Sequence, residues 1–84
     1  LNPELILLDV EVPGLDSFEL VTTLSRELPA IRVVMFSGFL RPEFQERALE
    51  SGAWGFLSKG ATPKDVVQAL RRVAMGHVVG GEDD

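Results

Sequence analysis

Three polar residues, Asp9, Ser37 and Lys59, each follow a short apolar run and have side chains that could act together on a phosphoryl group. A carboxylate can attack a phosphoryl group as a nucleophile, and a hydroxyl can donate a hydrogen bond to one of its oxygens. An ammonium group can neutralise the charge that these oxygens carry during transfer. Each residue alone has an ordinary explanation as a turn or loop residue, but their recurrence after three successive apolar runs favours a shared site.

The apolar runs themselves predict three buried β-strands, over residues 5–9, 31–36 and 54–58. Continuous apolar runs of this length are typical of strands that are covered on both faces, as in parallel sheets. Because the carboxyl ends of parallel strands lie at one edge of the sheet, we expect the three polar side chains to converge there.

Helical periodicity predicts a helix after each strand. The first begins after a cap by Asp16 or Ser17, of which Asp16 has the capping-box spacing to Glu19, and it ends before Pro29. The second runs over residues 42–51. The third begins at Thr62 and is stopped by Gly76. The apolar residues expected to face the core are Phe18, Val21, Leu24 and Leu28 on the first helix, and Val66, Val67, Leu70, Val73 and Ala74 on the third.

The alternation of strand and helix predicts the α/β class, with three βα units in one parallel sheet and helices on both faces. We expect residues 1–79 to form this domain and residues 80–84 to be a solvated linker stub.

The composition of the 84 residues excludes several kinds of site. There is no cysteine for a disulfide framework, and the single His77 cannot form a histidine cluster. The formal net charge is −5 and there is no basic patch, so direct contact with nucleic acid is not expected. No apolar run is long enough to span a bilayer, and we expect a cytoplasmic protein without membrane contact.

Taken together, the motifs resemble the receiver domain of two-component response regulators, in particular the subgroup with a helix-turn-helix output domain. The resemblance is carried by three segments: LILLDVEVPGLDSFEL, VVMFSG and GAWGFLSKGATPKDVVQALRRVAMG. It implies a partial flavodoxin-like (CheY-like) fold without the family's first strand, first helix and second strand. In the family's strand order 2-1-3-4-5, strand 5–9 would pair with that missing first strand. The resemblance therefore implies an unpaired apolar edge on strand 5–9, from which we expect a homo-oligomer or a strand-exchanged dimer. The chain departs from the family's usual residues at Val12 and Ser17, where Met and Gly are usual.

The resemblance also implies roles for individual residues. Asp9 would accept a phosphoryl group from a sensor histidine kinase, Ser37 would be the switch hydroxyl, and Lys59 would bind the phosphate. Phe56 falls at the aromatic switch position and would turn inward after phosphorylation. Asp9 and the backbone carbonyl of Glu11 would be Mg²⁺ ligands.

The other acidic Mg²⁺ ligands of the family are absent from this sequence, so Mg²⁺ binding is expected only in the complete domain. The resemblance further implies an output domain, DNA-binding in this subgroup, beyond residue 84. The chain is therefore expected to be a signalling module in transcription regulation, and not an enzyme.

Two other interpretations remain open from the sequence. Residues 9–12 approach the DxDx(T/V) motif of haloacid-dehalogenase-like phosphatases, although Glu11 replaces the second Asp and Pro13 interrupts the expected continuation. The other interpretation is a receiver-like interaction module that works without phosphorylation, which the missing acidic ligands would favour.

Overall fold

The computed structural model describes residues 4–38 and 41–80. Strands and helices alternate along the described chain in the order β1 (Glu4–Asp9), α1 (Ser17–Glu27), β2 (Ile31–Ser37), α2 (Pro42–Ser51), β3 (Gly55–Ser58) and α3 (Pro63–Ala74). The strands form one sheet in the order β1-β2-β3, and both neighbouring pairs are parallel. The predicted α/β class and the three βα units are confirmed.

The predicted element bounds hold to within about one residue. β3 begins at Gly55, one residue later than expected, although the Trp54 N–H already donates to the Val33 carbonyl at 2.8 Å. Gly80 is exposed, and the rest of the predicted linker stub, residues 81–84, lies outside the described residues.

Local signals explain where the helices begin and end. The Asp16 carboxylate accepts hydrogen bonds from the backbone N–H groups of Phe18 and Glu19, both at 3.1 Å, so it caps α1 as predicted. The Thr62 hydroxyl accepts from the Asp65 N–H at 3.1 Å and caps α3 in the same way. Gly52 ends α2 with a φ of 105°, a conformation that favours glycine.

The side chains of β2 point alternately to two apolar clusters, one on each face of the sheet. The first cluster contains residues of α1 and α2 and includes Phe18, Val21, Val33, Met35, Ala48, Ala53 and Phe56. The second contains residues of α3 and includes Val34, Leu57, Ala69, Val73 and Val79. The helices therefore cover both faces, as predicted.

The predicted apolar stripes are partly wrong. Leu28 follows the last residue of α1 and is exposed. On α3, Val67 and Ala74 are exposed, whereas Ala69 is buried. The buried stripe of α3 passes through residues 66, 69, 70 and 73, and positions 67 and 74 lie on its flank, where they miss the sheet.

A segment after α3 adds to the sheet in a way that the sequence did not indicate. Val79 forms a parallel bridge with Gly55. Its carbonyl accepts from the Phe56 N–H at 3.0 Å, and its own N–H donates to the Trp54 carbonyl at 2.9 Å. Within the described parts of the chain, no helix is long and apolar enough to cross a membrane.

Candidate functional site

Asp9 lies at the carboxyl end of β1, where two contacts fix the backbone on either side of its side chain. The next residue, Val10, donates its N–H to the Phe36 carbonyl of β2 at 2.8 Å. The buried Ser17 hydroxyl, at the start of α1, lies 3.0 Å from the carbonyl oxygens of both Asp9 and Val10. The sheet and α1 together therefore position the Asp9 carboxylate.

Lys59 follows β3 and reaches across β2 to the end of β1. Its Nζ lies 3.0 Å from Asp9 Oδ1 and 3.1 Å from Glu11 Oε1. Its backbone N–H donates to the Ser37 carbonyl at 2.9 Å, which ties the ends of β2 and β3 together. The Lys59 and Asp9 side chains are 41% and 42% exposed, so a donor molecule can reach both of them.

Ser37, the last residue of β2, is fully buried, and its hydroxyl contacts the side chain of Glu11. Ser37 Oγ donates to Glu11 Oε2 at 2.6 Å, and the Gly38 N–H donates to Glu11 Oε1 at 3.0 Å. The Glu11 backbone N–H in turn donates to Asp9 Oδ1 at 2.8 Å. Glu11 thus links Ser37 to Asp9 and Lys59.

The three residues predicted from the strand ends do lie at one edge of the sheet. Asp9 and Lys59 are in direct contact, and Ser37 joins them through the Glu11 carboxylate. The family resemblance implied a role for the Glu11 backbone carbonyl only, so the contacts of its side chain were not predicted. The available signal was position, because a carboxylate two residues after the strand end lies on the same edge as Ser37 and Lys59.

Hydrogen bonding perturbs the two charged groups at the centre of this cluster. The Ser37 hydroxyl lowers the pKa of the Glu11 carboxyl below its usual value, and the Gly38 N–H and Lys59 lower it further against a smaller opposing effect of burial. The contacts with Asp9 and then Glu11 raise the pKa of the Lys59 ammonium. Both shifts favour the charged forms.

Phe56, the predicted aromatic switch residue, is only 1% exposed and packs in the cluster with Met35 and Ala48. The ring that was expected to turn inward after phosphorylation is therefore already inside. Its role as a switch stays a prediction. Phe39 and Leu40, which follow Ser37 and Gly38 in the chain, lie outside the described residues.

The described residues do not by themselves form a Mg²⁺ site. Among them there is no group of three or more His, Cys, Asp or Glu side chains that could hold a metal ion. Asp9 Oδ1 already accepts from Lys59 and from the Glu11 N–H. An Asp9 oxygen and the Glu11 carbonyl are too few for Mg²⁺, which demands octahedral coordination and usually keeps several waters.

Comparison with known proteins gives a consistent family. The sequence model of the response regulator receiver domain matches residues 1–71. The chain is 41% identical over 75 residues to the transcriptional activator protein ExaE of Pseudomonas putida. The matched residues cover 89% of this chain and 35% of ExaE. It is 37% identical over 76 residues to the response regulator GacA of Pseudomonas aeruginosa, and this match covers 90% of this chain and 36% of GacA. The chain spans about a third of the length of these curated relatives.

Solved structures of the same family superpose well on this chain. A LuxR-family two-component response regulator from Aurantimonas has a TM-score of 0.83 at 25% identity, covering 90% of this chain and 54% of that one. The signal receiver domain of the response regulator NarL from Mycobacterium tuberculosis has a TM-score of 0.78 at 36% identity. This match covers 87% of this chain and 59% of the NarL chain.

The family match spans all three strands and the strand-end residues Asp9, Ser37 and Lys59. It also decides against a haloacid-dehalogenase-like phosphatase. Because the match to residues 1–71 covers most of the chain, this chain belongs to the response regulator receiver domain family.

Proposed function

We propose that Asp9 accepts a phosphoryl group and that the protein carrying this chain uses the modification as a signal. The observation that carries the proposal is the contact between the Asp9 carboxylate and the Lys59 ammonium, 3.0 Å apart, beside the donors of Ser37 and Gly38. A nucleophile, a cation and two neutral hydrogen-bond donors are what transfer of an anionic group requires.

The chemistry follows from which Asp9 oxygen is already engaged. Among the described residues, the side-chain contacts of Asp9 are made by Oδ1, so we assign Oδ2 as the attacking oxygen. A new bond forms between Oδ2 and phosphorus, while the bond from phosphorus to the donor's leaving group breaks and the leaving group keeps the electron pair. The product is an acyl phosphate, and Lys59 balances part of its negative charge.

Response regulators are phosphorylated by sensor kinases and carry output domains, and receiver domains are signalling modules that are generally not enzymes. We propose a sensor histidine kinase as the donor here, and a DNA-binding output domain beyond residue 84 as the part that responds. The names of the relatives support this, since one is a transcriptional activator and others belong to the LuxR family. Such a protein would act in the cytoplasm, where it can reach DNA.

Receiver domains commonly bind Mg²⁺. We propose that Asp9 and the Glu11 carbonyl contribute to such a site only in the complete domain, where further acidic residues can fill the coordination shell.

A test of the proposal uses the full-length protein, acetyl phosphate and Mg²⁺, with intact-protein mass as the readout. We expect one phosphoryl group per molecule in the wild type and none in Asp9→Asn. Asp16→Asn is the matched control, because it removes the same charge nearby and Asn caps helices as well as Asp does. Undiminished labelling of Asp9→Asn would contradict the assignment.

One observation favours a second candidate, a receiver-like module that works without phosphorylation. The donors of Ser37 and Gly38 are already engaged by the Glu11 carboxylate. A wild-type protein that binds its partner equally well before and after treatment with acetyl phosphate would support this second candidate.

A further inference from the structure

We infer that the Glu11 side chain is a built-in ligand of the phosphoryl site, which an incoming phosphoryl group has to displace. The inference rests on the proposed function for its biological meaning, but the binding competition itself can be measured without any phosphoryl transfer.

The Glu11 carboxylate contacts three hydrogen-bond donors at the edge of the sheet. Its two carboxylate oxygens accept from the Ser37 hydroxyl at 2.6 Å and the Gly38 N–H at 3.0 Å, and Oε1 also lies 3.1 Å from Lys59 Nζ. A hydroxyl, a backbone N–H and an ammonium converging on one anion are the groups that would bind the oxygens of a phosphoryl group on Asp9.

Two of these three donors cannot bind two anions at the same time. The Ser37 hydroxyl has a single hydrogen, and so does the Gly38 N–H. Lys59 has three hydrogens and can contact two acceptors, as it already does with Asp9 and Glu11. A phosphoryl group that binds Ser37 and Gly38 must therefore take the place of the Glu11 carboxylate.

Glu11 is well placed to compete with a phosphoryl group for these donors. It follows Asp9 by two residues, and its backbone N–H is held by Asp9 Oδ1 at 2.8 Å, so the carboxylate stays close to the donors. A tethered ligand of this kind acts at a high effective concentration. Its charge would also oppose the approach of a second anion, which adds to the competition.

The experiment uses the full-length protein in the absence of divalent metal ions, with inorganic phosphate as the probe. All variants carry Asp9→Asn, which removes the nucleophile and its charge but keeps an oxygen acceptor for Lys59 and the Glu11 N–H. Into this background we introduce Glu11→Gln or, as the matched control, Glu46→Gln on the exposed surface of α2. Binding is followed by the NMR signal of the Gly38 amide in protein labelled with ¹⁵N-glycine.

We expect Glu11→Gln to lower the Kd for inorganic phosphate about tenfold relative to Glu46→Gln, which corresponds to about 1.4 kcal/mol. Equal Kd values for the two variants would overturn the inference. If Glu11→Gln loses the dispersed glycine signals of a folded domain, Glu11→Asp replaces it, since the shorter side chain keeps the charge but cannot reach Ser37 as well. A Kd for Glu11→Asp equal to that of the control would overturn the inference equally.

These results are independent of the proposed function. The Asp9→Asn background cannot form an acyl phosphate, so the phosphate Kd reports only on the competition. Absence of labelling in the wild type with acetyl phosphate would instead contradict the proposed function and leave the measured competition in place.

Discussion

At the scale of single residues, the position of Asp9 depends on a residue that has no charge. The Ser17 hydroxyl is 2% exposed and lies 3.0 Å from the carbonyl oxygens of Asp9 and Val10. Because Ser17 begins α1, this contact ties the loop after β1 to the helix that follows it. Ser17 is thus a positioning residue, which acts on the site through the backbone of Asp9.

The expected result of Ser17→Ala is a loss of about 1 kcal/mol in the free energy of unfolding, the usual contribution of one hydrogen bond. Labelling by acetyl phosphate should also become slower, because the strand end is less well held. Ser51→Ala is the control, since that hydroxyl donates at 2.8 Å to the Arg47 carbonyl within the same helix. Urea unfolding and the labelling rate are measured together. Equal effects of the two substitutions on labelling would contradict the positioning role.

The residues that the sequence could predict are those whose role depends on the end of a strand. Asp9, Ser37 and Lys59 each follow an apolar run, and parallel pairing brings such ends together whatever the loops do. The Glu11 side chain lies in a loop, and its partners depend on one rotamer and on the path of residues 10–14. Periodicity carries no information about either, so the sequence position could place the Glu11 carboxylate at this edge but could not predict its contacts.

At the scale of elements, the end of α2 illustrates how closely the helices approach each other. Gly52 has a φ of 105°, and a Cβ there would lie 2.6 Å from Ser25 Oγ of α1. Glycine is therefore needed at this position for two reasons, its backbone conformation and the contact between α1 and α2. The first reason is of a kind that sequence can indicate, because glycine is common directly after a helix, but the second depends on the packing of two helices distant in sequence.

Gly52→Ala should destabilise the domain by more than the about 1–2 kcal/mol that a left-handed conformation costs a residue with a Cβ. Gly76→Ala is a matched control. That glycine follows α3 with a φ of 97°, but a Cβ there would meet no atom within 4 Å. Urea denaturation gives both free energies. If Gly52→Ala cost no more than Gly76→Ala, the predicted clash with Ser25 would be absent.

The missed positions of α3 have a similar cause. Val67 and Ala74 were expected in the core because they are apolar and lie at helical spacing, but the stripe that meets the sheet is centred on residues 69 and 73. The hydrophobic pattern of α3 is wider than the surface it covers. Which part of a wide stripe is buried depends on the crossing of helix and sheet, which the sequence alone does not give.

At the scale of the whole molecule, β1 is the part of the described sheet with the most unpaired backbone. It pairs with β2 on one side, and within residues 4–38 and 41–80 no strand pairs with its other edge. Leu7, in the middle of β1, is 44% exposed. An exposed apolar edge of this kind can pair with another strand.

We therefore predict that residues 1–84, expressed as an isolated polypeptide, form a homo-oligomer or a strand-exchanged dimer. Sedimentation velocity at micromolar concentration measures this. Leu7→Lys, which places a charge on the exposed part of this edge, should shift the distribution toward smaller species. A wild-type polypeptide that sediments as a monomer of 9.2 kDa and unfolds cooperatively would contradict the prediction.

We propose that the group modified in this domain is the Asp9 carboxylate. The most direct test treats the full-length protein with acetyl phosphate and Mg²⁺ and then reduces the product with borohydride. Reduction converts an aspartyl phosphate into homoserine, which tandem mass spectrometry locates in the sequence. We predict homoserine at position 9 and no conversion of Asp16 or Asp65. Homoserine at another position, with Asp9 intact, would contradict the account.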